Sequence, residues 1–180
     1  MNKLYKIIKF GDPTLRMKAT PISSFGASIH RLAEDMINTM KSQDGVGLAG
    51  NQIGLPIQIV VVDASGPNND PLSNTLNTFP CGLCTEPSLG CEHMPLVLIN
   101  PEVKAVGEDT EAGEEGCLSI EGVTGSVIRP AKVQVKALDV DGNPLEFEAQ
   151  GFLSRVIQHE VDHLNGILFI DHLPNAPGID

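Results

Sequence analysis

Apolar and polar positions divide this chain into helical and extended stretches. Between Ser28 and Lys41, apolar residues fall at Ile29, Leu32, Met36, Ile37 and Met40. They form a stripe along one face of a helix, with Ser28 as the expected N-cap. Ile57 to Val62 and Leu96 to Ile99 are short apolar runs that read as strands. Lys132 to Ala137 and Leu145 to Ala149 alternate polar and apolar, and Asp141-Gly142 between them marks a hairpin. Phe152, Val156, His159 and His163 recur at i, i+4, i+7 and i+11, one face of a second helix that Gly166 is expected to end. Gly45 to Gln52 reads as a glycine-rich loop. Strands early and in the middle, with a long helix near each end, predict an α+β domain.

Neither repeats nor a composition shift divide residues 1–180, so a single domain is expected. Within it, residues 65–95 are rich in Asn, Pro, Ser and Gly and far exceed the roughly 4–6 residues of an ordinary connection. This stretch holds Cys81, Cys84, Cys91 and His93, which have the chemistry of a small structural zinc site. The plainer reading is a polar loop with incidental thiols.

Composition narrows the classes. At 180 residues and 41% hydrophobic content the chain can build one ordinary core. Aromatics are only 4%, so Val, Ile and Leu must do most of the packing. The formal charge of −11 argues against direct nucleic-acid binding, which needs a basic footprint. No stretch approaches the ~20 apolar residues of a membrane span, and Met1 to Phe10 lacks a signal-peptide core. A soluble intracellular protein is expected, cytoplasmic or the mature form of an organellar one. Four cysteines are too few for a disulfide scaffold and read as metal ligands or buried thiols.

The chemistry concentrates at His159-Glu160-Val161-Asp162-His163. Two histidines four apart on a helix can present both imidazoles to one metal ion, and Glu160 can take a proton from a water at its open position. A catalytic site of this kind normally has a third protein ligand. A third histidine six residues after His163 would complete one known pattern, but that position is Phe169. Only 17 residues follow His163, too few for another ligand-bearing helix. The better candidate lies upstream in Glu115-Gly116-Cys117-Leu118-Ser119. A Cys/His/His set suits zinc, and a ferrous ion is also reasonable with one thiolate and two imidazoles. Asp162 points away from the histidine face and reads as a structural carboxylate paired with Arg129.

That upstream segment, the histidine helix and Gly45-Val46-Gly47-Leu48-Ala49-Gly50-Asn51-Gln52 together resemble the peptide deformylase family, in its order and at suitable separations. Gly11 to Arg16 and Ile128-Arg129-Pro130 extend the likeness to nearly the whole chain, and residues 65–95 then look like an insertion. The resemblance implies mostly antiparallel sheets packed around a central C-terminal helix. It implies Cys117, His159 and His163 as ligands of one divalent metal, naturally Fe(II), with Zn(II), Ni(II) or Co(II) able to substitute. Glu160 becomes the general base and later the proton donor. Gln52 and the Leu118 N–H become oxyanion donors. A methionine pocket falls to Val46, Phe152, Arg155, Val156 and His159, with Gly45, Gly47, Glu115 and Gly116 along the peptide path. The implied activity is removal of the formyl group from the initiator methionine of nascent polypeptides, releasing formate.

The chain departs from the family in carrying Gly50-Asn51 before Gln52 and Glu121 after Ile120. The alternatives are a short zincin-type peptidase and a metal-containing protein that binds N-terminal peptides without turnover. After Arg155 there is no Lys or Arg, and Pro174, Pro177 and Gly178 predict no terminal helix. Ribosome association is therefore not expected.

Overall fold

In the computed structural model, which describes residues 3–64 and 94–174, the apolar run of Ile59–Val62 (β2) lies at the heart of the fold. All four of its side chains are fully buried. The reason is that both faces of its sheet are covered. Ile59 and Val61 pack with Met36, Met40 and Leu48 under the first helix, α1 (Ala27–Ser42). Val60 and Val62 point the other way, to Leu153, Val156 and Ile157 of the second helix, α2 (Gly151–Leu164). Around β2 the sheet runs β1-β2-β3-β6-β7, wholly antiparallel, with β1 Gly47–Ala49, β3 Leu96–Ala105, β6 Lys132–Leu138 and β7 Pro144–Gln150. The α+β arrangement of antiparallel sheets around a C-terminal helix is as expected.

The helix α1 begins differently from expectation. Its N-cap is Gly26, at φ 148, and Ser28 lies inside the first turn. The Gly26 carbonyl accepts from the N–H groups of Ile29 and His30, and a side chain would strain that entry. The glycine-rich segment is also not all loop. Residues 47–49 pair with Val60–Val62, and Gly50–Ile53 form a 3-10 turn. The first strand predicted begins at Ile59, while Ile57 bridges Thr20 in parallel. The predicted hairpin is present. Leu138 pairs with Pro144 around a turn in which Gly142 has φ 85. Gly166 ends α2 as predicted. With φ 74, it donates its N–H to the His163 carbonyl, and Ile167 donates to Asp162.

A two-stranded sheet, β4 (Thr110–Cys117) with β5 (Ile120–Pro130), stands apart and is largely absent from the periodicity reading. Glutamates and glycines fill β4, so it lacks an apolar alternation. Its register slips at one point: Gly116 faces Thr124, but Cys117 faces Ile120. Such a bulge re-aims the side chain beside it. Leu15, Ile120, Val127, Leu168 and Phe169 tie this hairpin to the segment after α2.

No described helix is long and apolar enough to cross a membrane. Cys81, Cys84, Cys91 and His93 lie outside the described residues, as do residues 175–180, so the expected zinc loop and most of the terminal segment fall outside them too.

Candidate active site and metal centre

Two elements meet at one point. Cys117 is the last residue of β4, and His159 and His163 are one turn apart on α2. Their donor atoms all lie within 4.8 Å of one another, the only such group of three among the described residues. Cys117 Sγ is 3.3 Å from His163 Nε2, and the two imidazole rings are edge to face at 5.0 Å. The donor set suits a divalent ion with a preference for nitrogen and sulfur. The surroundings fit as well. Glu115 Oε2 lies 2.9 Å from His159 Nδ1, which leaves Nε2 as the donor towards the centre, the arrangement common behind metal-bound histidines. Burial alone would disfavour charge on His159. Hydrogen bonds with Cys117 and Glu115 outweigh it and push the ring up to about 10. Burial, with the charge on His159, drives His163 well below its ordinary value.

Glu160 is 4% exposed, and burial pushes its carboxyl up to about 7. It fits only because position 47 is glycine: a Cβ there would stand 2.2 Å from Glu160 Oε1. Its Oε2 is buried without a hydrogen-bond partner among the described residues. Gln52, 1% exposed, has a defined amide orientation. The Ala49 N–H donates to Oε1 at 2.8 Å, so Nε2 faces Cys117 Sγ at 3.5 Å and Ser119 Oγ at 3.3 Å. The Leu118 carbonyl accepts from Lys9 Nζ at 2.9 Å.

A cavity of about 380 Å³ opens beside these groups. Gly45, Val46 and Gly47 form one wall and Glu115 and Gly116 another, while Phe152, Arg155 and Val156 come from α2. All the residues expected along the peptide path and in the methionine pocket therefore border one space, with Phe152 at its exposed mouth. Two of them have a further occupation that spacing did not reveal. Glu115 receives Arg129 through both oxygens, at 2.6 and 2.9 Å, and Arg155 at 2.8 Å. Burial opposes charge on Glu115, but Arg129 and His159 hold it well below the usual carboxylate range. Arg155 also donates to the carbonyls of Glu111 and Val127 and lies across Gly113, where a Cβ would meet its Nε at 2.7 Å. Arg129 pairs with Asp162 at 2.8 Å, as read from the sequence.

The two departures from the family pattern also have local reasons. A Cβ at Gly50 would fall 2.6 Å from the Leu55 carbonyl and 2.7 Å from that of Ile57. Asn51 is fully buried and donates to the carbonyls of Thr14 and Met17. Glu121 pairs with Lys9 at 2.5 Å. No residue pattern would have revealed the contacts of Asn51 and Glu121, because each joins segments distant in the chain.

Residues 4–177 match the polypeptide deformylase family. A peptide deformylase of Methylacidiphilum infernorum is 45% identical over 170 residues, covering 94% of this chain and 85% of that one. One from Azotobacter vinelandii is 41% identical over 167 residues, covering 93% and 85%. Among solved structures, the peptide deformylase of Thermotoga maritima superimposes with a TM-score of 0.78 at 34% identity, over 96% of this chain and 99% of that one. The class I type b enzyme of Acinetobacter baumannii, solved with Met-Ala-Ser bound, gives 0.80 at 32% identity, over 96% and 100%. With the motifs, the fold and the Cys/His/His centre all in agreement, this chain belongs to the polypeptide deformylase family.

Proposed function

We propose that this cavity carries out the family's hydrolysis, removal of the formyl group from an N-terminal methionine, through Glu160, Gln52 and the Leu118 N–H. The observation that carries the reading is the place of Glu160: a buried carboxylate, one oxygen of which has no hydrogen-bond partner among the described residues, on the cavity wall beside the three donors. A divalent ion held by Cys117, His159 and His163 supplies Lewis acidity and makes water more acidic. Glu160 takes a proton from the attacking water as its oxygen bonds to the formyl carbon. The Gln52 amide and Leu118 N–H donate to the carbonyl oxygen as it gains charge. Glu160 then returns the proton to the amine nitrogen as the C–N bond breaks, leaving formate and a free methionyl terminus. Val46, Phe152 and Val156 offer apolar surface to the methionine side chain, and Gly45 and Gly47 let the peptide backbone approach. The Acinetobacter relative, solved with Met-Ala-Ser bound, supports a peptide that begins with methionine as the ligand.

Fe(II) is the proposed natural ion, since one thiolate and two imidazoles suit it, with Zn(II), Ni(II) and Co(II) as substitutes. Nascent formyl-methionyl peptides in the cytoplasm are the proposed substrates, without direct nucleic-acid binding. A peptide-binding module without turnover would have no use for a buried base beside an oriented amide, and a zincin-type peptidase would not draw its third ligand from a strand bulge. The test is formate release from a formyl-Met peptide by protein purified without oxygen, with metal measured alongside. Glu160→Gln should keep its metal and lose at least the ~10²–10⁴-fold typical of a general acid–base group. Cys117→Ser should lose the metal itself. Glu160→Gln activity within a few-fold of the unaltered protein would sink the proposal.

A further inference from the structure

The Gln52 amide can serve a developing oxyanion only if it is held in place before the reaction, and the structure shows two independent holds on it. The first acts on the Gln52 side chain itself. The Ala49 N–H occupies Oε1, which commits the two N–H bonds of Nε2 to the opposite side. The groups there are Cys117 Sγ at 3.5 Å and Ser119 Oγ at 3.3 Å, and Ser119 is 1% exposed, so water does not compete for it. The second hold is made by the main chain. The Ile8 N–H donates to the Gln52 carbonyl at 2.8 Å, and the Phe10 N–H donates to the Ser119 carbonyl at 2.8 Å. Residues 8–10 therefore span the backbones of the two residues whose side chains meet. The Ser119 N–H also faces Cys117 Sγ at 3.4 Å, which fixes the serine relative to the third ligand.

We propose that Ser119 is a positioning residue for the reaction: its hydroxyl takes one N–H of Gln52 and so keeps the other turned to the Cys117 side, where the oxyanion develops beside the three donors. The proposal rests on the reading of Gln52 as an oxyanion donor. Carboxamides rotate freely about their terminal torsion, so an amide anchored at both ends is preorganised, whereas one anchored only through Oε1 can pivot about that bond. Ser119 acts through Gln52 and touches neither the substrate nor the reacting atoms. Its loss should lower kcat and leave KM nearly unchanged, because the oriented N–H matters most once charge has developed.

The experiment is a double-mutant cycle of Ser119→Ala and Gln52→Ala in zinc-loaded protein, with kcat, KM and zinc content measured, and the Gln52 side-chain amide followed by ¹H–¹⁵N NMR. Ser119→Ala should cost about 5- to 10-fold in kcat, the worth of one neutral hydrogen bond, at full zinc content. It should move the Gln52 amide signals and cost nothing further in the Gln52→Ala background. An equal loss in that background, or unmoved amide signals, would overturn the role of Ser119. If Gln52→Ala leaves kcat intact, the reading of Gln52 itself fails, and the proposal fails with it. Should Ser119→Ala not fold, Ser119→Cys keeps the volume with a poorer acceptor and answers the same question.

Discussion

Gly47 and Glu160 are far apart in the chain, yet a Cβ on the first would fall 2.2 Å from a carboxylate oxygen of the second. The glycine is thus part of the site without supplying any chemistry. Gly47→Ala should push the Glu160 carboxylate away from its place while leaving Cys117, His159 and His163 alone. The expected result is a loss of roughly 10²-fold in kcat, the cost of misplacing a reacting group by about 1 Å, with metal content unchanged. Activity within twofold would mean that Glu160 has another position to occupy. At this scale the motifs pointed to groups that the structure brings together, since residue type and helical spacing are local properties. They did not show that Glu115 and Arg155 hold each other, or that Asn51 reaches Thr14 and Met17.

Among the elements, a buried ionic chain joins β4, β5 and α2: Glu115 to Arg129, and Arg129 to Asp162, whose carboxylate also meets the exposed His172 at 2.8 Å. Arg129 and Glu115 are both about 5% exposed, so removing one leaves charge stranded away from water. Arg129→Met should destabilise by about 3 kcal/mol, near the low end for a broken buried pair because Arg155 still holds Glu115. Denaturant unfolding at neutral pH checks this, and a loss under about 1 kcal/mol would show that the pair is replaceable by packing. A second clip fixes the chain after α2. Arg16 donates to Asp171 at 2.5 and 3.0 Å, and this hydrogen bonding holds the Asp171 carboxyl below its ordinary value. A lowered folded-state value gives stability that is complete above the unfolded value near ~4 and is lost as pH falls through the folded one. Arg16→Met should therefore cost about 1 kcal/mol at neutral pH, and the difference should shrink as pH falls below the unfolded value near ~4. A difference independent of pH would place the effect of Arg16 in its contact with the Gly166 carbonyl instead. The helices, β2, β6 and β7 were legible because burial on one or both faces writes a period into the residues. β4 was not, since it contributes ligands and glutamates rather than core.

Over the whole molecule, a formal charge of −11 sets how the protein meets polyanions. Long-range electrostatics should repel RNA, so ribosomes should not retain this chain at sub-micromolar concentration and physiological salt. Salt-sensitive co-sedimentation under those conditions would contradict the charge argument. The amino-acid order by itself determined the α+β class, the histidine pair with its glutamate, and the sign of the electrostatic field. These follow from short-range spacing and from counting. Tertiary structure alone decided that Cys117 lies 3.3 Å from His163, that Gly47 makes room for Glu160, and that Ser119 meets Gln52. Each of these is a contact between segments brought together only when β2 is covered on both faces and the β4–β5 hairpin docks beside α2. The distances that make a site depend on how whole elements pack, and no local pattern of residues encodes them.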